Sequence, residues 1–364
     1  MHNRKYCCLS FLLAFIYCFF AIGWTTHALG ANVKDAPPSL SAASCVLYEA
    51  KSDTLLFTKD HLRRLPMAST TKIITALAAL KALDINAKVS FPKAAVGVEG
   101  SSAYFTEGEV LSVRDLLYAL LLQSANDAAE AIAILADGSC ERFAERMNAL
   151  VASYGCTDTH LVNPHGLFHE DHYTTAYDLA IIADHLLLEP TLAQIVKTKV
   201  YTAHTSCGRR VFVNHNKLLS RSEDAIGVKT GFTKRSGRCL VGAAEVNGMT
   251  LISVTLNAPS DWTDHEKLWE YASRHYEYRT LLSPCAYRGQ LLLGGSYAPF
   301  VFAENKDSVE ALIKKDSLPI EESVSILPYA LIPLNADAEV GRIVFKQNGF
   351  VVGSAALYIS KSSR

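Results

Sequence analysis

The chain has 364 residues, 35 of them basic and 36 acidic, for a net charge of −1, and 49% are hydrophobic. So even a balance excludes nucleic acid and anionic lipid as partners gathered by charge alone. The length suits one large domain with a smaller companion rather than a single core.

At the N-terminus, Arg4 and Lys5 precede an uncharged apolar run from Tyr6 to Trp24, and the small residues Ala28, Gly30 and Ala31 follow. This pattern predicts a secretory signal over residues 1–30 and an exported mature chain. The alternative is a retained anchor, because the run approaches the length of a spanning helix. Retention would leave a peripheral membrane contact through the N-terminus. Nine cysteines are present. Cys7, Cys8 and Cys18 fall in the signal, and no pair among the rest has metal-ligand spacing, so isolated thiols are expected for most of them.

The mature chain opens with two short strands, Cys45–Glu49 and Thr54–Phe57, around Lys51-Ser52-Asp53. After Pro66, apolar residues at Ile73, Ile74, Leu77, Leu80 and Leu83 predict a buried helix over Ser69–Leu83. Helices are predicted over Val113–Leu121 and Asp127–Leu135, with Ser124-Ala125-Asn126 as a loop between them, and again over Cys140–Tyr154 and Ala176–Leu188. Between the last two lies a His-rich polar loop, Val162–Thr175.

From Ile226 the pattern becomes strands: Ile226–Thr230, Cys239–Val246 and Met249–Leu256, the last two joined by the hairpin signal Asn247-Gly248. Glu266–Tyr278 reads as a closing helix. Beyond it, short apolar runs between Leu291 and Tyr358 read as a small all-β domain. The expected fold class is α/β: an antiparallel sheet flanked by helices, with an α-rich subdomain inserted and an all-β C-terminal domain. The expected boundaries are 31–280 and 284–364.

Three short motifs carry the chemistry: Ser69-Thr70-Thr71-Lys72, Ser124-Ala125-Asn126 and Lys229-Thr230-Gly231. Each has a structural reading when taken alone. Ser-x-x-Lys fits a helix cap and a surface lysine, Ser-Ala-Asn-Asp another cap, and Lys-Thr-Gly a strand ending in a turn. Their joint order gives a nucleophile, a proton shuttle and an anion clamp, the parts of acyl transfer through a serine ester.

Three residues apart on a helix, Lys72 faces Ser69 and can take its proton once burial and a second cation lower the lysine's pKa. Ser124 can relay a proton and Asn126 can hold the lysine and a substrate amide. Lys229 and Thr230 suit a terminal carboxylate, Gly231 leaves the strand edge open to a peptide, and the backbone N–H of Phe232 is the second oxyanion donor beside that of Ser69.

Together with Pro66-Met67-Ala68, Gln123 and Asp127-Ala128-Ala129, Asn163-Pro164-His165-Gly166-Leu167, and Gly227-Val228 and Phe232-Thr233, these motifs resemble the low-molecular-mass D-alanyl-D-alanine carboxypeptidases, a family of penicillin-binding serine peptidases. The resemblance spans about Ala43 to Tyr278. It implies a Ser69 acyl-enzyme formed from a peptidoglycan stem peptide, with Lys72 as general base, Ser124 and Asn126 assisting, and Lys229 and Thr230 holding the terminal carboxylate. It further implies β-lactam antibiotics as covalent inhibitors, no metal and no cofactor, and a location at the outer face of the cytoplasmic membrane, in the wall or secreted. Many relatives have Gly where Ala125 stands. Many also end in an amphipathic helix, where Ala355–Ile359 reads as a strand.

Two other enzymes and a scaffold compete with this reading. A class A β-lactamase deacylates with a glutamate-activated water, and Glu145 with Asn148 is the nearest mimic. A zinc peptidase would use His160, His165, His169 and His172 with Glu170 and Asp171, though their spacing is not His-Glu-x-x-His. A non-catalytic wall-binding protein would have no need of Ser69, Lys72 and Lys229 together.

Overall fold

The computed structural model describes residues 37–294, 300–331 and 338–360, so the expected signal segment lies outside the described residues. Strands β1 (Ser44–Glu49) and β2 (Thr54–Lys59) form the predicted hairpin. A 3-10 turn over Ala68–Thr71 leads into α1 (Lys72–Ala82). Ser69 therefore sits on the turn before the α-helix rather than inside its first turn. The cause is local: Thr70 Oγ1 and Thr71 Oγ1 bond back to the carbonyls of Met67 and Ala68 at 2.6 and 2.7 Å and tighten the chain.

After the short strands β3 (Lys88–Ser90) and β4 (Val110–Ser112), α2 (Val113–Leu122) begins with a capping box, in which the Ser112 side chain accepts from Asp115 N–H and the Asp115 carboxylate accepts from Ser112 N–H. Helix α3 (Asn126–Asp137) starts at Asn126, so that residue opens the helix instead of belonging to the expected loop. It is followed by α4 (Cys140–Ser153), α5 (Ala176–Leu188) and α6 (Pro190–Lys197). A hairpin of β5 (Val200–Thr205) and β6 (Gly208–Val213) and a short α7 (Leu218–Arg221) lead to β7 (Ala225–Thr233), β8 (Gly237–Val246) and β9 (Met249–Leu256).

The central sheet is antiparallel with order β2-β1-β9-β8-β7, which leaves β7 on an edge. Its two faces bury different partners because strand side chains alternate. Val46, Tyr48, Val241, Ala243, Ile252 and Val254 join the helical core, which includes Ile73, Leu77 and Leu116. On the other face Leu47, Leu240, Ala244 and Leu251 pack against Leu268, Trp269 and Ala272 of α8 (Asp261–His275). Helix α1 is thus clamped between the sheet and its helical neighbours, with the Ser69 turn at its start.

Helix α8 ends at His275, and Tyr276–Leu282 is strand β10. Glu266–Tyr278 was expected to be helical throughout. The β-favouring Tyr276 and Tyr278 instead pair with Lys314 and Leu312 of β13, a partner invisible to local pattern. The remaining strands are β11 (Arg288–Gly294), β12 (Phe300–Asn305), β13 (Val309–Lys314), β14 (Glu321–Ile326), β15 (Tyr329–Leu331), β16 (Glu339–Gln347) and β17 (Phe350–Ile359). Six of them form a sheet of order β14-β16-β17-β12-β11-β15 around Leu291, Val301, Ile343, Phe345 and Leu357. Tyr278 Oη donates to Glu49 at 2.7 Å, and Lys51 lies 3.3 Å from Glu310, joining this β-rich part to the central sheet.

The six cysteines from Cys45 onward are free, with Cys45, Cys156 and Cys239 buried, Cys140 half-buried, and Cys207 and Cys285 exposed. Burial pushes the Cys45 thiol up to about 12 and the Cys239 thiol to about 11, so these side chains pack as small apolar groups and stay protonated.

Candidate active site

Within the segment Met67–Ile74 every residue is buried except Ser69, which solvent partly reaches. The preceding Ala68 holds a left-handed φ of +49°. That conformation is strained for a residue with a Cβ and persists only where the surroundings impose it. They do so through Gly166: a Cβ there would lie 1.9 Å from the Ala68 carbonyl oxygen, so the carbonyl packs onto bare glycine backbone.

Gly166 belongs to a turn knitted by Asn163, whose Oδ1 accepts from the N–H of Gly166 at 2.7 Å and whose Nδ2 donates to Leu167 O at 2.9 Å. Thr75 Oγ1 ties Pro164 O to α1 at 2.6 Å. The Asn-Pro-His-Gly segment is therefore a cradle for the serine turn.

Lys72 has no exposed surface. Its Nζ lies 3.0 Å from Ser69 Oγ, 2.7 Å from Asn126 Oδ1 and 2.7 Å from the His165 carbonyl. The amide of Asn126 is oriented by its Nδ2, which donates to Glu99 O at 2.5 Å, so Oδ1 is the atom that meets the lysine. Two of the three partners are pure acceptors. A neutral amine has two N–H bonds for them and one lone pair, which is left facing the serine O–H. Burial first, and the Lys229 cation second, hold the Lys72 pKa well below its ordinary value, opposed by Asp127. Burial and the Lys229 cation thus favour the neutral amine over the ammonium at this position.

Asp127 has a structural task. Its carboxylate accepts from Ala103 N–H at 3.0 Å, Ser102 Oγ at 2.7 Å and Phe105 N–H at 3.3 Å. Asn126 N–H donates to Ser101 O at 2.7 Å. The loop 99–105 is thereby pinned over the N-terminus of α3.

Ser124 also has a left-handed φ, +61°, and is almost buried. Hydrogen bonds join Ser69, Lys72 and Asn126 directly, whereas the Ser124 hydroxyl is outside that group. Lys229 is 1% exposed, and burial lowers its pKa to about 7. Its Nζ donates to the Thr230 carbonyl at 3.0 Å. A Cβ on Gly231 would come within 3.1 Å of Ser69 N and 3.0 Å of Met67 O, so β7 lies directly against the serine turn. Phe232, the next residue, is 64% exposed.

The histidine loop does other work. His172 Nδ1 accepts from Val162 N–H at 3.2 Å, so its Nε2 carries the proton and donates to Thr71 Oγ1 at 2.8 Å. Thr71 in turn donates to Ala68 O. Burial pushes His172 down to about 3, and burial followed by Lys72 pushes His165 down to about 4, so both rings are neutral. The 3.6 Å approach of His165 to Glu130 is accordingly not an ion pair near neutrality. Among the described residues no group of three or more His, Cys, Asp or Glu side chains could hold a metal ion. Glu145 is exposed on α4, and Asn148 is spent bridging to Leu161 through both amide atoms.

Sequence reasoning missed the His165 carbonyl, the Gly166 contact, the His172–Thr71 bond and the Asp127 loop anchor. A hint existed in Asn163 and Gly166 flanking His165, but the meeting with Ala68 joins segments nearly one hundred residues apart.

A five-stranded antiparallel sheet against a helical cluster, with a Ser-x-x-Lys turn between them, defines the penicillin-recognising serine peptidases. Penicillin binding protein 5 from Haemophilus influenzae superposes with a TM-score of 0.72 at 25% identity, over 89% of this chain and 98% of that one. A variant of the Streptomyces K15 DD-transpeptidase superposes at 0.62 with 34% identity, over 65% and 98%.

The sequence profile of the D-alanyl-D-alanine carboxypeptidase family matches residues 31–260, and the chain belongs to that family. The carboxypeptidase DacF of Bacillus subtilis is 29% identical over 86% of this chain and 84% of its own. DacB2 of Mycobacterium tuberculosis is 32% identical over 70% and 87%.

Proposed function

We propose that this chain is exported through its N-terminal segment and removes the terminal D-alanine from peptidoglycan stem pentapeptides. The observation that carries the reading is the environment of Lys72: a buried amine held by Asn126 Oδ1 and the His165 carbonyl within 3.0 Å of Ser69 Oγ. Lys72 takes the Ser69 proton as Oγ attacks the carbonyl of the penultimate D-alanine. The N–H groups of Ser69 and Phe232 meet the oxyanion. The C–N bond then breaks, and the Lys72 proton passes through Ser124 to the departing amine. Water repeats the sequence on the ester. Lys229 and Thr230 hold the terminal carboxylate, and the free edge of β7 receives the peptide as an added strand.

Labelled penicillin is expected to leave one covalent label per chain, and D-Ala-D-Ala peptides to lose a single D-alanine faster than penicillin is turned over. A protein that takes up no label and releases no D-alanine would overturn the reading. Faster penicillin turnover would instead favour the β-lactamase alternative.

The two lysines set the pH dependence. Lys229's cation depresses Lys72, so Lys72 gives up its proton first and Lys229 stays charged until about pH 7. With Lys72 required neutral and Lys229 required charged, kcat/KM rises on the acid side and falls as pH climbs through about 7. In Lys229→Arg, where the cation cannot titrate in this range, the alkaline fall is expected to disappear. A pH–rate profile of both proteins checks this.

A further inference from the structure

We propose that the groove between Phe168 and the β7–β8 turn is a subsite for a carboxylate that the peptide carries upstream of the scissile bond, with Arg235 as its cation. This rests on the carboxypeptidase reading above and extends it to substrate selection. If the terminal carboxylate sits at Lys229 and Thr230 and the scissile carbonyl at Ser69, beside Gly231, then the upstream part of the peptide continues past Phe232. There β7 ends at Thr233 and the chain turns through Lys234, Arg235 and Ser236 before β8.

That turn is held rigidly. Ser236 Oγ lies 2.8 Å from Thr233 Oγ1 and accepts from Thr233 N–H at 3.1 Å, while Ser236 N–H donates to Thr233 Oγ1 at 3.0 Å. Arg235 is thus presented from a fixed base.

The groove has a volume of about 450 Å³, and Leu65 and Pro66, which run straight into the serine turn, form part of its wall. Phe168 is 45% exposed, and the Arg235 guanidinium lies over its ring, 5.5 Å from the centroid, so the cation has an apolar floor. Arg64 also lines the groove but is already paired with Asp158 at 2.6 Å. Arg235 has no carboxylate partner among the described residues. Glu170 also lines the groove and repels an anion, so the carboxylate is assigned to Arg235.

A planar guanidinium without a partner, beside an apolar wall and in line with the peptide path, fits a carboxylate on a flexible aliphatic side chain. From Gly231 to Thr233 the strand advances about 7 Å before the turn that carries Arg235. A carboxylate on a long side chain one or two residues before the scissile bond covers that distance.

The test uses Nα-acetyl-L-α-aminoadipyl-D-Ala-D-Ala and its side-chain carboxamide. Wild-type kcat/KM is expected to favour the acid about tenfold at low salt, with the preference shrinking as salt is raised. Arg235→Gln brings the ratio to about one, and Phe168→Ala reduces it. The dissociation constants of both peptides for the full-length Ser69→Ala protein follow the same ratio. Equal handling of acid and amide by the wild type, or a preference that survives Arg235→Gln, overturns the subsite. Failure of both peptides to release D-alanine would instead count against the carboxypeptidase reading, and the Ser69→Ala binding ratio would still decide the groove.

Discussion

Ser69→Ala is expected to bind no penicillin covalently and to release D-alanine at least about 10⁴-fold more slowly than the wild type, with Lys72→Ala close behind. In the proposed mechanism the two groups act as one unit, with Lys72 Nζ, 3.0 Å from Ser69 Oγ, as the base through which the hydroxyl reacts. The double variant is therefore expected to lose no more than the worse single one.

Stability should separate the two single variants. Removing the Ser69 hydroxyl leaves Asn126 Oδ1 and the His165 carbonyl still paired with the Lys72 amine. Removing the Lys72 amine strands Asn126 Oδ1 and the His165 carbonyl, both 2.7 Å from it, at about 1–3 kcal/mol for each unsatisfied group. Single-turnover acylation and urea unfolding of the three proteins measure both effects. Additive rate losses would show that serine and lysine do not share one proton transfer.

Gly166→Ala is expected to be the most damaging single-methyl change. The new Cβ would stand 1.9 Å from Ala68 O and 2.8 Å from Thr71 Oγ1, and the residue already has φ +85°. Backbone must move, and the backbone that moves is the turn carrying Ser69. A displacement near 1 Å at the nucleophile costs about 10²-fold or more in acylation. Overpacking and the forced left-handed alanine together destabilise by roughly 2–5 kcal/mol. Urea unfolding and penicillin acylation rates test the two parts. A variant that acylates at the wild-type rate would show that the cradle does not position the serine.

Most of the secondary structure was legible because its causes are local. The periods of Ile73, Ile74 and Leu77 in α1, the short apolar runs of β8 and β9, and the Asn247-Gly248 turn are all readable within short windows. Strand β10 was not, since its partner β13 lies some thirty residues later and outweighs the helical continuation of α8. The hairpin of β5 and β6 and the helix α6 were also passed over, their short patterns being interrupted by polar residues.

At the site, residue types carried much of the information. A serine and a lysine three apart, and a lysine followed by threonine and glycine, announce nucleophile, base and clamp. Chemistry chooses side chains, and side chains are what a sequence records. By itself, then, the chain determined the reaction class and the candidates Ser69, Lys72, Asn126 and Lys229.

Tertiary structure decided the state and setting of those groups. Whether Lys72 is neutral depends on burial, on two acceptors from other segments and on the Lys229 cation, none of which is a property of its neighbours in sequence. Only folding brings Gly166 beneath Ala68, His172 onto Thr71 and Arg235 over Phe168. Desolvation and hydrogen bonding act through space over a few ångströms, and distance along the chain says little about them.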